Sequence, residues 1–136
     1  LISSLRHIGR RETLFEVLVL ALSALLIAGE LDEARAMGAE LHELARKSEM
    51  DKLYLALDAM ALLSCREGRY TEAARIARCA EDARGAHGQV RRRPAEEHMR
   101  TAVRSILDER LGPRWESGAS AEPLEELSAC SLALRI

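Results

Sequence analysis

Aromatic residues are nearly missing from this chain: one Trp, two Tyr and one Phe, 3% of 136 residues. Runs of β-branched residues are just as scarce, so there is little from which to build strands. Cysteine is limited to Cys65, Cys79 and Cys130. Three is an odd number without close metal-type spacing, which speaks against a disulfide framework and a zinc site. Such thiols read as small buried residues of a reducing compartment, so a cytoplasmic location is expected. An excess of positive charge is also absent: the formal net charge of −2 argues against general nucleic-acid affinity. No apolar run is long enough for a membrane span, which needs about 20 residues. The most apolar stretch, Val17 to Ala28, has basic residues upstream, as a secretory leader would. A cap at Thr13, a sharp stop at Gly29 and the lack of an initiator Met weigh against that reading. The opening Leu suggests a piece of a longer chain. What is abundant is Ala, Leu, Glu and Arg, with 48% hydrophobic and 31% charged residues. This favours helix, and the length suits one all-α domain.

The strongest internal signal is a phrase that occurs twice. Gly29-Glu30-Leu31-Asp32-Glu33-Ala34 returns as Gly68-Arg69-Tyr70-Thr71-Glu72-Ala73, an offset of 39 residues (68 − 29). Physically it reads as the corner of a helical hairpin. The glycine ends one helix in a left-handed cap, Leu31 or Tyr70 plugs the corner, and Asp32 or Thr71 caps the next helix. The small Ala34 or Ala73 lets the two helices approach.

Around these corners the chain divides into three parts. Residues 1–12, with Leu1, Ile2, Leu5 and Ile8 as a short stripe, read as the tail of a preceding repeat or a linker. Residues 13–90 hold two hairpins. The first opens at a capping box, Thr13 with Glu16, and its partner helix carries Ala34, Met37, Leu41 and Leu44 inward. Ser48-Glu49-Met50-Asp51 caps the second, in which Leu53, Leu57, Met60, Ala61 and Ser64 face Ala73, Ile76, Ala80 and Ala83. Residues 91–136 begin with Arg91-Arg92-Arg93-Pro94, a proline-led helix start. That helix buries Met99, Ala102, Val103, Ile106, Leu107 and Leu111 and stops at Gly112-Pro113. A loop from Trp115 to Ala121 and a last helix from Pro123-Leu124-Glu125-Glu126 follow.

No catalytic constellation emerges, and no enzyme activity, cofactor or metal is expected. His7, His42, His87 and His98 are scattered. Glu96-Glu97-His98 reads as a solvated first turn, and Arg91 to Arg93 as a solvated loop rather than a phosphate contact. Ser23 and Ser64 lie in apolar helices without a readable His or Asp partner. A helical enzyme or metal protein would instead need His42 or His98 turned inward.

The twice-used corner resembles the tetratricopeptide (TPR) repeat, in which Gly, a large apolar residue, Glu and Ala stand in this order. The period of 39 is similar to the looser helical repeats that end large bacterial STAND ATPase or LuxR-family (MalT-like) transcriptional regulators. Leu111-Gly112, Trp115-Glu116-Ser117-Gly118 and Leu124-Glu125-Glu126-Leu127 follow the closing order of such arrays, with altered spacing. The resemblance implies a right-handed superhelical solenoid of antiparallel helix pairs with C-terminal capping helices. It implies a non-catalytic interaction or sensor segment of a signalling regulator; any ATPase, kinase or cyclase would lie elsewhere in the parent chain. The alternative is a free-standing adaptor that takes a peptide in its concave groove. The repeat register puts Ser23, Leu26, Ile27, Asp58, Leu62 and Arg66 on that concave side, open to a protein, a peptide or another domain of the parent chain, unless the chain's own final helices cover it. Neither direct nucleic-acid binding nor membrane contact is implied.

Overall fold

Gly29 and Gly68 both adopt positive φ, +80° and +78°, and the two corners share three backbone bonds, the first adding a bond from the Leu31 N–H to the Gly29 carbonyl at 3.1 Å. At the first corner the Gly29 N–H donates to the Leu26 carbonyl (3.2 Å) and the Glu30 N–H to Leu25 (2.9 Å). At the second, Gly68 donates to Cys65 (3.1 Å) and Arg69 to Ser64 (2.9 Å). This is the Schellman arrangement, which satisfies the orphan carbonyls of a helix end. Ala34 and Ala73 then donate to the carbonyls of Glu30 and Arg69, 2.9 Å in each case. Both alanines are fully buried. The cap positions are therefore Glu30 and Arg69, not Asp32 and Thr71. Leu31 and Tyr70 are already the first helical residues.

The computed structural model describes residues 2–48, 52–88, 91–118 and 124–135. Its described residues form helices and turns, with no strand among them. They comprise α1 (Ile2–Ala28), α2 (Leu31–Ser48), a 3₁₀ turn (Leu53–Ala56), α3 (Leu57–Arg66), α4 (Tyr70–Ala86), α5 (Pro94–Leu111), α6 (Trp115–Gly118) and α7 (Glu126–Leu134). Helix α1 runs straight through Thr13, so the expected capping box does not start it there. Glu16 instead reaches across to Lys52 Nζ at 3.2 Å. The side chains of residues 2–9, 11 and 12 lie outside the description, as do the expected cap at Glu49 to Asp51 and the start at Pro123. Trp115 to Gly118 form one helical turn rather than a loop, pinned by the indole N–H donating to Asp108 at 2.7 Å.

Helix α3 is the axis of the fold. It packs on α4 in its own hairpin, on α1 and α2 of the other, and on both α5 and α7. Its nine residues from Leu57 to Cys65 are all buried, as expected of a helix apolar nearly all round. The inward alanines of α4 allow this crowding: Ala73, Ala80 and Ala83 are buried along with Ile76. On α5, Pro94 stands in the first turn as its fixed φ favours. Met99, Val103 and Leu107 form that helix's buried edge, whereas Leu111 is exposed.

Candidate functional site

Four of the six side chains assigned to a concave lining are in the core. Leu26 and Leu62 are buried, Ser23 donates its hydroxyl to the Val19 carbonyl at 2.8 Å, and Asp58 is enclosed by arginines. Only Ile27 and Arg66 face solvent. These two occupy equivalent places, 39 residues apart and two residues before their corner glycines. The reason is tertiary: α3, which carries Asp58 and Leu62, packs on α5 and α7 as well as on α1, α2 and α4, while α1, which carries Ser23 and Leu26, packs mainly on α2 and α3. The lining read from the repeat register is therefore not an open groove within this chain; its accessible remainder is the corner end of α1 and α3.

Asp58 is instead the hub of a charge network joining α3, α4 and α5. Its carboxylate accepts from Arg92 Nε at 2.8 Å and Nη2 at 3.3 Å, with Arg84 Nη2 3.7 Å away. Arg84 also donates to Glu96, and its guanidinium lies 5.3 Å from the centre of the Tyr54 ring. Tyr54 stacks in turn on His87. Asp58, Arg84 and Glu96 are all buried. Glu96 is thus a core residue, not part of a solvated first turn, and Arg92 is drawn inward from what reads as a solvated basic loop. At the rim, Glu81 accepts from Arg92 (3.2 Å) and Arg100 (2.5 Å). Arg91, Arg92, Pro94 and Glu97 line a depression of about 580 Å³ beside this cluster. Two arginines thus balance two buried carboxylates at its centre, with Glu81 taking further bonds at the edge. An opposed set of this kind locks helices together.

A second polar cluster holds the end of α7. Arg35 of α2 donates through Nη1 to the Leu134 carbonyl at 2.6 Å and through Nη2 to Ala133 at 3.3 Å. Arg69, at the second corner, donates to the carbonyls of Leu132 (2.9 Å) and Ala133. Glu67 bridges the two guanidiniums, 2.5 Å from Arg35 and 3.2 Å from Arg69. Burial alone would raise the Glu67 carboxyl, but the two arginines outweigh it and hold the group below its ordinary range. Cations at the carbonyl end of a helix are well placed against its dipole. Each hairpin supplies one of them.

His42 faces inward and lies 2.9 Å from the Ser131 hydroxyl, tying α2 to α7, while His98 is exposed. Ser64 is fully buried, and its hydroxyl has no partner among the described residues. Burial pushes the thiols of Cys65 and Cys79 up to about 12, and that of Cys130 upward as well. Among the described residues no three His, Cys, Asp or Glu side chains gather as a metal site would require. No helix there is long and apolar enough to cross a membrane. What the site offers is therefore helix-locking contacts and a few accessible patches. The arginine clamp and the burial of Glu96 were not signalled by local spacing; the one hint was Arg69 standing inside the repeated phrase. No protein-family model, curated protein or solved structure matches the chain.

Proposed function

We propose that the chain is a non-catalytic, TPR-like helical segment that serves protein–protein interaction or sensing within a larger bacterial signalling or transcriptional regulator. The observation that carries this reading is the pair of corners 39 residues apart, which share three backbone bonds and are each followed by a buried alanine. A corner repeated at a fixed spacing is how arrays of helical hairpins are built, and such arrays present surfaces to other proteins. In this reading α5 and α7 act as capping helices. Of the concave lining, the part left for a partner is the corner end, where Ile27 and Arg66 are exposed at equivalent places in the repeat register.

The test is binding by the purified chain to the remaining domains of its parent or to a defined protein partner. Arg66→Glu is expected to weaken that complex at least tenfold while leaving helix content unchanged. Equal affinity of wild type and variant would count against the corner end. Turnover of a small molecule by the isolated chain would count against a scaffold altogether.

A further inference from the structure

The outward face of α1 is apolar over its whole second half. Leu14 is 48% exposed, Val17 54%, Leu20 48% and Ile27 55%. Ala21 and Ala24 complete the stripe, half-buried and exposed respectively. No acidic or basic residue occurs from Val17 to Ala28. The nearest acid on the inner side, Glu16, is turned away to Lys52 and Arg93. A contiguous exposed stripe of this kind marks a contact surface. Shifted by 39 residues, Leu14, Val17, Leu20 and Ala24 fall on Leu53, Ala56, Ala59 and Leu63, all buried.

The stripe has a property that selects its occupant. Positions 14, 17, 20, 21, 24 and 27 read the same from either end, with steps of three, three, one, three and three. Run antiparallel against a second copy about a two-fold axis between positions 20 and 21, Leu20 meets Ala21 and Val17 meets Ala24. Leu14 meets Ile27. Large side chains thus face small ones near the axis, as close helix packing requires. The charges beyond the stripe agree. Exposed Arg10 at one end lies opposite the acidic corner of the other copy, where Glu30, Asp32 and Glu33 are exposed. A parallel pairing would set Arg10 against Arg10 and leave gaps at Ala21 and Ala24.

We infer that α1 is the interface of an isologous antiparallel dimer, each copy's stripe covering the other's. A two-fold contact of this type closes on itself and builds no filament. The stripe spans about 20 Å of helix, so the interface is small and the dimer belongs to the weak, reversible class. The inference stands on the α1 pattern and does not rest on the regulator reading.

Sedimentation equilibrium of the purified chain from about 1 μM to about 500 μM tests it. A monomer–dimer equilibrium within that range is expected. Leu20→Glu, with circular dichroism unchanged, should raise the dissociation constant at least tenfold. Cysteine pairing then reads the direction: mixed Leu14→Cys and Ile27→Cys copies should cross-link, and Leu14→Cys alone should not. The native Cys65, Cys79 and Cys130 are buried and give little background. A chain that stays monomeric throughout, including one whose stripe takes up only a foreign helix, overturns the inference. So does a dimer indifferent to Leu20→Glu, or cross-linking by Leu14→Cys alone. Should Leu20→Glu unfold, the cross-linking pair decides.

Discussion

Replacing Asp58 by Asn keeps the volume of the side chain and removes one of the two buried carboxylates of the cluster, leaving Glu81 at the rim as the remaining acid on Arg92. In the folded chain the Asp58 carboxylate takes two hydrogen bonds from Arg92 and has Arg84 3.7 Å away. Arg84 is itself 3% exposed and shared with Glu96, also 3% exposed. After Asp58→Asn, two guanidiniums face a single buried carboxylate at the centre of the cluster. Breaking a buried pair by removing one partner costs about 3–5 kcal/mol, mostly from the charge left unmatched. For a domain of this size each kcal/mol is worth about 4 °C, so the midpoint should fall by about 12–20 °C. The assay is thermal and urea unfolding followed by circular dichroism, with the urea slope checked so that a changed unfolded state is recognised. A matched removal sharpens it. Arg84→Met together with Glu96→Gln takes out one charge of each sign and leaves Asp58 with Arg92. That double variant should lose less than Arg84→Met alone, which sets two buried carboxylates against Arg92. The reasoning is refuted if Asp58→Asn costs less than about 1 kcal/mol, or if the double variant loses the sum of its singles.

Gly29→Ala and Gly68→Ala should each destabilise by about 1–2 kcal/mol in chemical unfolding. Open space surrounds both positions, so only the left-handed backbone is strained; a large difference between them would show that the corners are not equivalent. Glu67 sets a pH dependence. Its folded value lies below the ordinary 4.5, so its contribution is present above that value and is lost as pH falls through the lower folded one. The stability gap between wild type and Glu67→Gln should therefore close in acid, and a gap that widens there would contradict the Arg35–Glu67–Arg69 clamp. Native Cys65 and Cys79, held near 12 by burial, should resist a thiol reagent at pH 8 and react fully in denaturant. Rapid native labelling would place them at the surface.

The parts of the fold that local chemistry decides could be read directly from residue order. Gly29 and Gly68 need positive φ whatever surrounds them, and Pro94 suits only a helix start. The stripe Ala73, Ile76, Ala80 and Ala83 follows from helical period alone. The misreadings share a cause. Thr13 and Glu16 have the spacing of a cap, but helix-forming residues lie on both sides and Glu16 finds Lys52, 36 residues away. Glu96 follows a proline as first-turn acids often do, and only the approach of Arg84 takes it into the core. Asp58 and Leu62 fit a groove lining in a stack of two hairpins, but they sit on α3, which also packs on α5 and α7. In these cases the deciding partner lies 12 or more residues away, beyond the reach of local periodicity.

The arginine pair on α7 has a consequence for how the chain reaches its final shape. The corners at Gly29 and Gly68 close between residues three to five apart and can form early. The Arg35 bond to Leu134 spans 99 residues and must await a long loop closure. Assembly is therefore expected to proceed from two quickly formed hinges to a late seating of the terminal helix. Amide protons of α7 should be the last to gain protection during refolding, with those facing the corners already slow to exchange.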